Sequence, residues 1–425
     1  MLRNTRTRDA RAGERGASLA TIAIALTFIL GMAGLAIDLV ALYVGRSEAQ
    51  RAADAAALAG ATTFVTSGFT SGGVTQAVAQ TLATSDAIAV GNQNLVGGQN
   101  PNIASSDVTF DFSKPGDPQV TVVVQRTAAR GNAMPTFFVK IFGVTTADVS
   151  ATATAEAYNP SGQTGGPTYC AGCLKPFLLP NCDPAPRATP LNPLCPGQFY
   201  FVDPSTGALE NPGRFPTGVI GEPWLLHSVA GPSQWYSIAV GTDQSKSAWR
   251  ATIAGCNVVL LACGDTVQTL DGKAVGPASQ GINSLINASG DGPGNGQDTI
   301  ALNVDPSLPP FTITGGANNP NPGVVGNTIL QSSSIVTVAI FDGSPLTPGK
   351  NTAKVVGFMT VFIQFIQKVG PSDDITVTIM DVTGCGSGSS GSCGSSGGGG
   401  GSGTGGSISG GGASTIPVRL IRPGG

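Results

Sequence analysis

The sharpest change of pattern along the chain is the run ASLATIAIALTFILGMAGLAI, 21 residues from Ala17 to Ile37 without a charged side chain. At about 1.5 Å rise per residue, roughly 20 apolar residues in a helix cross a hydrocarbon core about 30 Å thick. Gly31 and Gly34 suit such a helix, because glycine is common in membrane spans. After Asp38 the text LVALYVGRSEAQRAADAAALAGA stays rich in Ala and Leu, and free of Pro, as far as Ala61. The pattern predicts one continuous helix, half in lipid and half in water.

Downstream, the pattern predicts an α+β fold. Val74, Val78, Leu82 and Ile88 recur at helical spacing and predict a second helix. Val108–Phe112 and Gln119–Arg126 read as strands joined by a Lys-Pro-Gly-Asp-Pro turn. Met134–Phe142 is predicted as a short helix with Pro135 in its first turn, and Ala147–Tyr158 alternates as a strand. Residues 46–160 thus form one α+β module, and 161–167 a Pro/Gly linker. Residues 168–383 read as a second, mostly β, loop-rich domain. Its buried strands are predicted at Gln198–Val202, Asn257–Ala262, Ser334–Phe341 and Lys354–Phe365, and a helix begins near Gly276-Pro277. Residues 384–413 are almost wholly Gly and Ser, a tract that cannot bury a core. It lies between two predicted strands, Asp374–Val382 and one within 414–425, and is expected to be the loop of a hairpin; a free tail is the alternative.

Charge then sets an orientation. Residues 1–16 carry Arg3, Arg6, Arg8, Arg11 and Arg15 against Asp9 and Glu14, whereas Arg46 and Arg51 beyond the span are balanced by Glu48 and Asp54. The positive-inside rule keeps the basic tail in the cytoplasm and exports the bulk of the chain. The alternative is a cleaved secretory signal, whose apolar core of about 7–15 residues would end in a small-residue site before polar sequence. Only 11% of residues are charged, against about 25% in ordinary soluble domains. A net charge of −3 and the absence of a basic block outside the tail exclude a nucleic-acid surface. One histidine in 425 residues removes most metal sites and most acid–base schemes.

The segment GLAIDLVALYVGRSEAQRAADAAALAGA, Gly34 to Ala61, resembles the N-terminal segment of TadG-like proteins of the bacterial Flp (tight adherence) pilus apparatus. The resemblance rests on Gly34, Ala36, Asp38 and Tyr43, and on the run Ala52–Ala61 that includes Ala53, Asp54 and Leu58. VSATATAEA before Tyr158, and CLKPFLLP, WRATIAGCN and TLDGKAVGPASQGINSLI further on, extend it loosely. It implies a single-pass inner-membrane component of pilus assembly or secretion. Such a protein would hold lipid through residues 17–45, bind other pilus or secretion proteins, and need no cofactor or small-molecule substrate. Separately, a long N-terminal helix packed on a small antiparallel sheet is the general plan of pilins and pseudopilins, an analogy at the level of fold. A processed pseudopilin is the alternative: Gly16 precedes Ala17 suitably for prepilin cleavage, but Thr21 stands where a Glu is typical. Some members of the wider family carry a von Willebrand A-type metal motif. Its nearest texts here, at Asp203/Ser205 and Asp342/Ser344, are incomplete, because Gly207 and Leu346 stand where the second Ser belongs.

Eight cysteines remain as candidate chemistry: Cys170, Cys173, Cys182, Cys195, Cys256, Cys263, Cys385 and Cys393. An even number beyond an export signal reads as disulfides, whose connectivity the sequence leaves open. Cys170 and Cys173 form a C-x-x-C, so a periplasmic redox or metal-dependent enzyme is the alternative of a different class. Asn287, Asp291, Asn295 and Asp298 gather calcium-type oxygens in a Gly-rich loop, but not at EF-hand spacing. His227 lies in apolar text, and no nucleophile elbow, zincin or phosphate-loop motif is present. Asp38, at the outer end of the span, is expected to face the headgroups; an intramembrane charge with a partner is the alternative.

Overall fold

A computed structural model describes residues 6–114, 116–162, 168–187, 191–227, 235–238, 245–256, 260–270, 275–346, 351–369, 372–386, 393, 407–411 and 414–421. Helix α1 runs unbroken from Arg6 to Thr66, 61 residues and about 90 Å of helix. It stops at Gly68, whose φ of 70° is left-handed and free of strain only for glycine. Its most apolar 18-residue window, of mean hydropathy 2.3, is only 6% buried, so this half is not the core helix of the fold.

The second half of α1 is the core of the first module. Ala49, Ala52, Ala53, Ala56, Ala57, Ala61 and Phe64 are buried on one face. Helix α2 (Gln76–Gln93) presents Ala79, Ala83, Ala87 and Gly91 to them. Small residues four apart let the two backbones approach: a Cβ on Gly91 would lie 3.0 Å from that of Ala56. Against the other side of α1 packs an antiparallel sheet of β1 (Val108–Asp111), β2 (Gln119–Arg126) and β5 (Val149–Ala157). Between β2 and β5 rises a small hairpin of β3 (Met134–Pro135) and β4 (Thr146–Ala147). The short helix predicted over Met134–Phe142 is therefore only a 3-10 turn, Val139–Phe142. Its first residues are strand because Met134 pairs with Ala147.

The second region begins with β6 (Thr168–Gly172), β7 (Phe177–Pro180), β8 (Pro223–His227) and β9 (Tyr236–Ser237), followed by α3 (Lys246–Ala254). β10 (Leu261–Ala262), β11 (Thr266–Gln268) and α4 (Val275–Leu285) come next. β12 (Thr299–Leu302), β13 (Phe311–Thr314) and β14 (Thr328–Ile329) form a small sheet of their own. β15 (Ile335–Phe341), β16 (Thr352–Val369) and β17 (Ser372–Gly384) are the centre of a seven-stranded sheet ordered β8-β17-β16-β15-β7-β9, with β11 beside β16. One face of that sheet buries Trp224, Trp235 and Trp249 with Phe177 and the apolar sides of α3 and α4. The apolar runs at 334–341 and 354–365 are strands, as their composition predicts. Gln198–Val202 forms isolated bridges only, because Pro196 and Pro204 flank it and supply no N–H to extend a ladder. Of Asn257–Ala262, only the end is strand; 257–259 lie outside the described residues.

The chain ends with β18 (Ser407–Gly411), parallel to β6, and β19 (Val418–Ile421), antiparallel to β5 of the first module. The expected hairpin with β17 is not formed. Ile416 and Val418 instead join the apolar core around α1. The Gly/Ser tract itself, apart from Cys393 and β18, falls largely outside the described residues. The two regions meet at the end of α1. The Ser71 hydroxyl bonds to the Asp381 carboxylate of β17, Asn159 Nδ2 donates to Thr70 O at 2.9 Å, and Arg214 Nε donates to Gly73 O at 2.5 Å.

Candidate functional site at Gly34 and Asp38

Where α1 leaves the module, one face remains covered. Gly34, Asp38 and Gly45 are buried, while Leu35, Ile37, Leu39, Val40 and Tyr43 around them are exposed. The cover is the loop of the β3–β4 hairpin. Met134 lies against Gly45, and the ring of Phe138 lies against Gly34. These contacts are 11 residues apart on α1, so the hairpin follows the helix for about 16 Å toward its N-terminus.

Asp38 fastens the tip. Its Oδ1 accepts the N–H of Phe137 at 2.7 Å, and its Oδ2 accepts those of Phe138 (2.8 Å) and Val139 (2.7 Å). Three successive N–H groups converging on one carboxylate form an anion-binding nest at the start of the 3-10 turn. At 3% exposure, Asp38 does not face outward to headgroups as its position suggested. A buried carboxylate is tolerated only when its oxygens are satisfied, and here the loop backbone satisfies them.

Arg126, which the sequence reading did not single out, braces the hairpin from behind. Its side chain is buried. It donates to Val96 O (2.5 Å), Asn132 O (2.7 Å) and Gln99 Oε1 (2.7 Å), and also touches Met134 Sδ at 3.1 Å. Burial lowers its pKa, and these four partners are neutral. The strand alternation of QVTVVVQR marks Arg126 as inward-facing, a signal that was available in the sequence.

The other motif residues have structural surroundings. Ala53 is in the core, Leu58 packs against it, and Asp54 Oδ1 accepts Gln50 Nε2 at 2.8 Å. Tyr43 is 76% exposed and, with Leu39, Leu42, Arg46, Asp148 and Ser150, lines a shallow groove beside the hairpin.

Residues 16–63 match the family model described as putative Flp pilus-assembly TadE/G-like. The likeness is of this segment and not of the whole chain. No curated protein and no solved structure matches the chain. The TadE/G-like segment spans the exposed apolar half of α1, the Gly34/Asp38 dock and the small-residue face that carries α2 and the sheet.

Elsewhere the sequence candidates are spread apart. The cysteines lie in four pairs, Cys170–Cys393, Cys173–Cys256, Cys182–Cys195 and Cys263–Cys385. The two thiols of the C-x-x-C are thus joined to different partners, which is not the arrangement a cycling dithiol needs. Asp203 and Asp342 accept N–H groups of Ser205 and Ser344 in local turns. In the 287–298 loop, Asp291 accepts Ser279 and Asn283 side chains, and Asp298 accepts Gly316 N, Asn319 and Ser332. Those carboxylates tie neighbouring segments together. His227 Nδ1 lies 2.7 Å from Asp374 Oδ1 at the edge of the large sheet.

Proposed function

We propose that the protein is a single-pass, membrane-anchored component of an Flp-type pilus assembly apparatus that acts by binding other proteins. The observation that carries this reading is the TadE/G-like match over residues 16–63, on a helix whose apolar half is exposed and whose other half is a module core. The excess of arginine before the span supports a cytoplasmic N-terminus and an exported remainder. Four cysteine pairs suit an oxidising compartment, where they act as structural staples. The reading assigns residues 17–45 to lipid, residues 46–160 to a pilin-like module, and 168–383 to a second exported domain. Exposed Tyr43 and the groove beside it are the surface offered to a partner.

The test is photo-cross-linking in cells that assemble the pilus, with a photoreactive phenylalanine at position 43. Adducts with other subunits of that apparatus are expected. A protein that leaves the membrane on alkaline extraction, or that gives no adduct with any pilus subunit, overturns the reading.

One observation favours a second reading, a pseudopilin built into the filament: a long helix, half exposed, lies on an antiparallel sheet of four strands. The intact mass of membrane-extracted protein separates the two. A chain beginning at Ala17 supports the filament subunit, and one that retains the basic tail supports the permanent anchor.

A further inference from the structure

The hairpin tip that covers Asp38 leaves its own apolar side chains outward. Phe137, Ile141, Phe142 and Val144 are exposed, Ile141 by 78% and Phe142 by 81%. Large exposed apolar patches are unusual in water and mark a surface that meets another phase or partner. This patch adjoins the exposed face of α1. Phe138 sits against Gly34, inside the uncharged run that ends at Ile37, so the tip shares the level of Leu35 and Ile37, which are exposed too. Whatever medium receives those helix residues also receives the tip.

We propose that the Phe137–Val144 tip is buried in the outer-leaflet boundary of the lipid bilayer, as a short re-entrant element docked on the membrane helix. The proposal rests on the reading of α1 as a membrane span. Non-helical backbone is tolerated at that depth only where protein satisfies it, and Asp38 accepts three of the tip's N–H groups. The benefit is mutual, because the same bonds satisfy a carboxylate at the end of a hydrocarbon span. Lys140 is the single charge between Met134 and Val144. Its long stem reaches the headgroup layer while the flanking rings stay in the acyl region. The hairpin thereby fixes both the depth of α1 and its rotation about its own axis, since only the Gly34/Asp38 face carries the dock.

The experiment is fluorescence quenching of the full-length protein in vesicles of phosphatidylethanolamine and phosphatidylglycerol, with and without lipids brominated near the carbonyl end of their chains. Ile141→Trp and Phe142→Trp probe the tip, and Leu30→Trp probes the span. The native Trp224, Trp235 and Trp249 are buried in the second region and give a constant background. Blue-shifted emission that brominated lipid quenches, at the tip and at position 30 alike, supports the proposal. Quenching at position 30 with neither tip probe quenched overturns it and leaves the anchor standing, the tip then facing water or a protein. No quenching at any of the three positions overturns the anchor and the proposal together.

Discussion

The ring of Phe138 lies so close over Gly34 that a Cβ there would come within 2.8 Å of the ring's Cγ. The contact is to the root of the side chain, which cannot swing aside without moving the loop. Gly34→Ala should therefore loosen the hairpin by about 1–3 kcal/mol, the usual cost of overpacking. Amide exchange at Phe137–Val139 would report it. Gly34→Ala combined with Phe138→Ala should recover part of the loss, a non-additivity that two independent sites would not show.

Asp38 makes its bonds through both oxygens. Asp38→Ala leaves three N–H groups without their acceptor, and hydrogen bonds to a charged group are stronger than those between neutral groups. Asp38→Asn keeps one acceptor oxygen. Exchange at 137–139 should therefore rise most for the alanine variant and by an intermediate amount for asparagine. Equal effects would mean that the carboxylate is not what holds the tip.

The joint between the regions should respond to pH. Burial pushes the pKa of Asp381 up to about 7 from 3.8, while hydrogen bonds from Ser71 and Thr415 act in the opposite direction. The folded state then binds a proton more tightly than the unfolded chain. This contribution to stability is full below about 3.8 and is lost as pH rises to about 7. Asp381→Asn removes the titration. The Tm of the wild type relative to this variant should fall between pH 4 and 7 and level off above it. A difference that stays flat over that window would refute the assignment.

The last strand should matter most where it docks. Ile416 is 2% exposed and belongs to the core around α1, far from it in sequence. Ile416→Ala should cost about 2–5 kcal/mol, as for other buried aliphatic truncations. Its first sign would be faster amide exchange in β5, whose edge β19 covers, rather than in β17. Loss confined to β17 would mean the strand serves the large sheet instead.

Arg419 supplies a finer test of the same edge. Its Nε lies 2.5 Å from Glu156 Oε1, and burial with the Glu156 charge raises the pKa of neighbouring Asp117 to about 6, against which Arg419 acts. Arg419→Met removes that opposing charge, so the apparent pKa of Asp117 should rise further, as carboxylate NMR titration would read. An unchanged titration would show that the half-exposed guanidinium is screened by solvent.

The sequence by itself determined the elements whose signal is local. A charge-free run followed by an Ala-rich, Pro-free run makes a continuous helix wherever it is placed, and α1 extends through both. Alternation in QVTVVVQR and VSATATAEA fixes which side chains of β2 and β5 face α1, because a strand has a period of two. The likeness of residues 16–63 to the TadE/G-like family was legible for the same reason, since it is written in contiguous text.

Tertiary structure alone decided what depends on distant partners. Met134–Phe142 is a strand end and a 3-10 turn rather than the helix its local text predicts, because Met134 pairs with Ala147 and Asp38, about a hundred residues earlier, binds three of the segment's N–H groups. The final strand joined β5 rather than β17 because a long Gly/Ser connection costs little more to close far than near. Burial of Ile416 then chose the destination. Three of the four cysteine pairs join residues 83 to 223 positions apart and follow from such long-range placements, whereas Cys182–Cys195, 13 apart, is local. Local pattern fixes local backbone, whereas packing against remote residues decides where each piece goes and which of its polar groups are satisfied.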